Sequence, residues 1–455
     1  MVSAADASRA VPAPSSPTAG VSRTRRLRYR ITGFPGSSWA AKGRHLFAVW
    51  LGARLAVFAL WLLAAPSTQG DVIYYWSKIN AMSQVGPAQT LVEYPTPVIW
   101  LLWIPYALGL GTQTGYVITF VACMLALDIG FSWSMWRNGG RLRSHALLFW
   151  TAFLALVGPT AYLRFDLIPA VLAGWSLISL LKGRSLLAGG FIGAGAAAKL
   201  WPALMWPALC GGSKRRAWLS TLGVFGLGGL LALISLLWAG WDRLLSPLTW
   251  QNGRALQVES IWATPLMLAR IVAPDSYWVG ISTFQAFEIW GPGDDVLLTL
   301  ASASTAIGYA AAIAAYVLWL RRPRRRVIEA AGLMLLVVLV IIVTNKTFSP
   351  QYIMWLGGPM AAGFAVASYD ATGEEHHRIH AHDQRRLVRM GWVTLAITAL
   401  TQLVYPIGYG PLVQQLPGMS LVTIILAIRN IAMVGLLVWV CRWIWGFVRP
   451  VRRSR

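Results

Sequence analysis

The stretch Gly70-Asp71-Val72-Ile73-Tyr74-Tyr75-Trp76 comes just after the first long apolar run, 46–65, and Glu93-Tyr94-Pro95-Thr96-Pro97 follows a short way downstream. A carboxylate placed where a helix leaves a bilayer is costly to bury, so it points to function. Asp71 is read as a catalytic base on the outer face of a membrane. The plainer alternative is an N-cap for a helix over 72–84, a position that suits Asp.

Composition sets the class. The 455 residues are 56% hydrophobic and only 12% charged, against about 25% charged in soluble domains. Mean hydropathy is +0.57. These values predict an all-α polytopic membrane protein. The net charge of +23 does not call for nucleic acid as a partner, because the basic residues lie in short clusters between apolar runs, as in cytoplasmic loops. Cys123, Cys210 and Cys441 fall in or beside apolar runs. They read as free thiols, with no disulfide framework or zinc site.

The basic clusters fix an expected topology. Residues 1–44 read as a disordered basic tail held in the cytoplasm, without a cleavable signal peptide. A transmembrane domain spans 45–445, and 446–455 form a second basic cytoplasmic tail. Twelve spans with both termini inside keep every basic cluster cytoplasmic. Two outer segments stand out, 66–113 and 240–295. Within the first, the apolar run 97–110 is short of the ~20 residues needed to cross. It is read, with 72–85, as a helix at the outer interface. The runs 185–198 and 200–211 are read as two short spans with Lys199 at their outer tip, looking into a cavity.

Several polar groups collect at the outer edges, each with a plainer alternative. Arg164 and Asp166 either pair with each other or meet an anionic ligand. Lys199 either snorkels to the headgroups or contacts phosphate. Gln257, Glu259, Trp262 and Pro265 either pack an outer loop or belong to a site. Asn345, Lys346, Ser349, Gln351 and Tyr352 lie together between spans; ordinary turn chemistry explains Asn345 and Ser349-Pro350 but does not need Lys346 or Gln351. Gly193-Ala-Gly195 follows no strand and reads as close helix packing, not a dinucleotide fingerprint. His376, His377, His380 and His382 read as a solvated inner loop, and Arg321–Arg326 as a topology anchor.

Taken in order, these strings resemble the GT-C superfamily of membrane glycosyltransferases, and within it the actinobacterial family 87. The carriers are Gly70-Asp71-Val-Ile-Tyr-Tyr, Glu93-Tyr94-Pro95-Thr-Pro97, Arg164-Phe-Asp166-Leu-Ile-Pro169, Ala198-Lys199-Leu-Trp-Pro202, Gly253–Pro265 and Asn345–Tyr352. The resemblance covers about 45–445. It implies a GT-C-like fold with an outer-face active site in the plasma membrane. It also implies transfer of a sugar, commonly mannose in α linkage, from a polyprenyl-phosphate donor to a lipid-linked or glycan acceptor, with inversion. Asp71 maps onto the base. Lys199, Lys346, Arg164 and Arg254 would take the donor phosphate. Glu93, Tyr94, Asp166, Gln257, Glu259, Gln351 and Tyr352 would meet the sugar or acceptor. With those cations no metal or other cofactor is required. The phosphatidylinositol-mannoside branch carries a His-His pair where this chain reads Ser349-Pro350-Gln351-Tyr352. Two alternatives stay open: a polyprenyl-phosphate-arabinose-dependent transferase, and a transporter or flippase. Transporters place ionisable sites near the midplane, often within inverted repeats, and no second-half copy of the first is visible.

Overall fold

The computed structural model describes residues 43–250, 253–322, 325–368 and 374–448. Apart from a few edge residues, the two expected tails lie outside this set, as do the side chains of His376, His377 and His380. The backbone there belongs to the helix Glu374–Gln402, not to the loop expected from sequence.

The architecture is that of an all-α polytopic membrane protein. Among the described residues, eight helices are long and apolar enough to cross a membrane: Gly43–Ala64, Gln113–Asn138, Arg143–Ala161, Lys214–Ala239, Asp294–Leu320, Val327–Thr344, His382–Ile407 and Met419–Val448. Three of the twelve expected spans are shorter helices, Leu167–Leu181, Ser185–Ala198 and Met354–Ala367. The span expected at 200–211 is not a continuous helix. Pro202 and Pro207 divide it into a 3-10 segment, Trp201–Met205, and a single turn, Trp206–Leu209, because each proline removes a backbone donor and favours a new helical start. The run at 97–110 is the 12-residue helix Pro97–Leu108.

Burial follows sequence pattern. Beyond Glu329 in its first turn, Val327–Thr344 is apolar on every side and buried along nearly its whole length, as is Met354–Ala367. Helices with no polar face belong in the middle of a bundle. Lys214–Ala239 buries only a narrow stripe that includes Ser220, Gly223 and Val224. That stripe meets Ser185–Ala198 through glycines: a Cβ at Gly189 would run into the Ser220 carbonyl, and one at Gly223 into the Leu186 carbonyl. Removing the side chains lets the backbones touch; Gly193 packs in the same way on the Val224 carbonyl, whereas Gly195 faces the Pro202 ring.

The segment 240–295 contains a feature that the apolar periodicity hid. Leu256–Gln257 (β1), Trp278–Ile281 (β2) and Phe287–Trp290 (β3) form a small antiparallel sheet in the order β1-β3-β2. Gln257 pairs with Glu288, and Gly280 flanks Glu288 on the other side.

Candidate active site

The site begins with the helix Gly70–Asn80. Val72, Tyr75 and Ile79 form its buried stripe, at the spacing of one helix face. Asp71 lies in the first turn, where the helix dipole favours a negative charge. The N-cap position falls on Gln69 and Asp71 is the second residue of the helix, so the capping alternative is not realised. Instead Asp71 Oδ2 is ion-paired with Arg164 Nη1. The Asp71 side chain keeps 28% of its surface exposed and that of Arg164 17%.

Arg164 and Asp166 do not pair with each other. Asp166, nearly fully buried, accepts from Lys199 Nζ at 2.6 Å and from Trp355 Nε1 at 2.7 Å, both on Oδ1. Lys199 does not snorkel away. Its ammonium lies 5.2 Å from the ring centroids of Tyr352 and Trp355, 5.4 Å from Phe165 and 6.0 Å from Tyr94. Ring faces attract a cation held this close. Tyr352 stacks on Trp355, and Trp355 on Trp201. The result is an array of alternating charge, with Asp71 on Arg164 and Asp166 on Lys199, set among aromatic rings.

The flanking turn Glu93-Tyr94 is fastened from two sides. Tyr74 Oη donates to Glu93 Oε1 at 2.8 Å. Burial pushes the Tyr74 hydroxyl well above its ordinary range, and Glu93 adds to the rise. Arg243, on the helix Trp241–Thr249, donates to the carbonyls of Thr90, Leu91 and Tyr94. Tyr94 itself packs edge-on against Phe165 at 4.9 Å. Burial raises its pKa far above that of a free phenol, with Glu93 and Asp166 adding to the effect, so the ring offers a neutral hydroxyl.

A network missed in the sequence holds the 162–166 turn. Arg54 binds both carboxylate oxygens of Asp128, at 2.8 and 2.9 Å, and donates to the Thr151 carbonyl. Asp128 also accepts from Ser132, Trp150 and Tyr162. Both charges are buried, and each has hydrogen-bond partners. Tyr162 carries this anchoring to within two residues of Arg164. The available signal was an ionisable residue inside an apolar run, which demands a partner.

Other expected site residues form a second group. Lys346 Nζ donates to the Arg254 carbonyl at 2.9 Å, while Arg254 pairs with the buried Glu288 at 3.5 Å. Burial lowers the Lys346 pKa, as does the charge of Arg254, against an opposing pull from Glu288. Gln257 lies in β1 and is buried. Gln351 is also buried and receives a hydrogen bond from Ser349. The segment 345–352 links the groups, carrying Lys346 near one end and Tyr352 at the other.

Glu259 needs correction as a reader of sugar hydroxyls. Its side chain has no exposed surface and pairs with the equally buried Arg429 at 3.4 Å. Burial pushes its pKa up to about 7, although Arg429 pulls it down. Arg429 also lies 4.2 Å from the Phe348 ring and donates to the Glu259 carbonyl. The pair fastens the sheet-bearing segment to Met419–Val448 through Oε2, and Oε1 is buried without a partner, out of reach of a sugar. Arg429 falls inside a long apolar run, where hydropathy does not single it out.

Residues 91–350, more than half of the chain, match glycosyltransferase family 87. The match includes Glu93, Tyr94, Arg164, Asp166, Lys199, Arg254 and Lys346, whereas Asp71 and Tyr352 lie outside it. No curated protein matches the chain.

Proposed function

Because this chain belongs to glycosyltransferase family 87, we propose that it transfers a sugar, mannose being the first choice, from a polyprenyl-phosphate donor to a lipid-linked or glycan acceptor, with Asp71 as the base. The observation that carries this reading is the array Asp71–Arg164 and Asp166–Lys199. A partly exposed carboxylate lies on Arg164, and two residues farther along the chain Asp166 holds Lys199, a pattern that suits a base and a cation for a departing phosphate.

In this mechanism the acceptor hydroxyl oxygen attacks the anomeric carbon. The bond from that carbon to the phosphate oxygen breaks on the opposite face, and its electron pair leaves with the polyprenyl phosphate. The hydroxyl proton passes to Asp71. Such a base contributes about 10²–10⁴-fold. Arg164 aims the carboxylate through Oδ2. Lys199 spends one N–H on Asp166 and has others for the departing phosphate, where charge-assisted bonds count most. Tyr94 and Tyr352 flank the ammonium and offer ring faces to the sugar. Lys346 and Arg254 bind the donor farther from the reacting carbon.

Charge distribution supports an extracytoplasmic site in the plasma membrane. Arg137, Lys182, Arg184 and the cluster 214–216 lie at or just beyond helix ends remote from Asp71 and Lys199, as the positive-inside tendency requires of cytoplasmic loops. The test is incubation of purified protein with labelled polyprenyl-phosphate mannose and a cell-envelope lipid extract. Label should appear in a new glycolipid or glycan. If only the arabinose donor yields product, the mannose assignment fails. If neither donor yields product in the presence of extract, the donor class is wrong.

A further inference from the structure

An open cavity lies away from the candidate active site. It has a volume of about 500 Å³ and is lined by Asn138, Leu181, Lys182, Arg216, Arg325, Arg326 and Val327. Two helices fix its position. Leu167–Leu181 starts beside Asp166 and ends at this cavity, and Val327–Thr344 starts at the cavity and ends beside Lys346. At ~1.5 Å per residue these helices put the cavity roughly 22–27 Å from the site.

Its charge is unbalanced. Arg326 shares Glu329 with Arg322 and Asp383 with Arg386. Those two acids are therefore already divided among three arginines. Lys182, Arg216 and Arg325 have no acidic partner among the described residues. Arg325 donates to the Leu320 and Gly212 carbonyls, yet its Nε is buried with no hydrogen-bond partner. Like charges gathered around one hollow repel, and a buried guanidinium N–H without an acceptor is costly. An anion would relieve both. The volume lies in the range of small-molecule sites, and Leu181 and Val327 give it an apolar edge.

We propose that this cavity is a second ligand site, which binds a phosphate-bearing anion at the end of the bundle opposite the transfer chemistry. Lys182, Arg216 and Arg325 hold the phosphate by charge-assisted hydrogen bonds. Either a phospholipid headgroup entering from the bilayer or a soluble phosphate satisfies that chemistry.

The test uses the purified full chain in detergent. Native mass spectrometry measures retention of phosphatidylglycerol against phosphatidylcholine, and calorimetry measures binding of inorganic pyrophosphate. The Lys182→Ala/Arg216→Ala variant is compared in both, with Arg216→Ala alone as the milder substitute if the double variant does not fold. Preferential retention of phosphatidylglycerol, lost in the variant, assigns the site to a lipid headgroup. Saturable pyrophosphate binding, weakened at least about tenfold in the variant and by added salt, assigns it to a soluble phosphate. Absence of both in the wild-type chain, or binding that the variants leave unchanged, overturns the proposal.

Discussion

Lys199 is held by one carboxylate and several aromatic rings, so its removal has two separable effects. Lys199→Ala strips the cation from the buried Asp166 and removes a phosphate ligand. The single variant should lose thermal stability and bind polyprenyl phosphate at least about tenfold more weakly, as loss of a charge-assisted bond implies. In Asp166→Asn/Lys199→Met the buried charge is gone, so the melting temperature should recover while donor affinity does not. Recovery of both would place Lys199 in a purely structural role. Glu259 gives a prediction of another kind. Its folded pKa is raised from 4.5 to about 7, so the folded state binds the proton more tightly than the unfolded state does. Stability should fall as pH rises from 4.5 through about 7 and level off above. Melting curves in detergent across that range should show this slope, and Glu259→Gln should flatten it. An unchanged slope in the variant would assign the pH dependence elsewhere.

At the scale of elements, two polar clamps hold the turns that carry the site. Arg243 ties the Glu93-Tyr94 turn to Trp241–Thr249 through three carbonyls. The Arg54–Asp128 pair joins three long helices and reaches the 162–166 turn through Tyr162. Asp128→Ala leaves a buried guanidinium uncompensated, at a cost of about 3–5 kcal/mol, and should sharply reduce recovery of folded protein. Tyr162→Phe removes only the link to the turn. It should cost about 1 kcal/mol yet lower kcat by more than that stability loss explains. A kcat equal to wild type would mean that the turn holds its shape without the link. These clamps explain why the site was partly hidden in the sequence. Asp71, Arg164, Asp166 and Lys199 are legible because each sits beside the end of an apolar run. Arg54, Asp128 and Arg429 lie inside such runs, where hydropathy averages over a single charge, and their partners are 74 to 170 residues away.

Across the whole molecule, apolar runs and basic clusters give the fold class and most helices directly. They fail where local chemistry overrides hydropathy. Prolines break the run at 200–211, and short alternating stretches in 240–295 pair into a sheet that only distant contacts define. Which acid each cation meets is likewise a tertiary matter: Arg164 pairs with Asp71 and Lys199 with Asp166, whereas Lys346 and Arg254 group with Glu288. The account rests on Asp71 being the proton acceptor, and turnover by purified Asp71→Asn tests this most directly. The substitution keeps shape and removes basicity. With a wild-type melting profile and donor affinity, the variant should lose about 10²–10⁴-fold in kcat. Turnover within a few-fold of wild type would contradict the assignment.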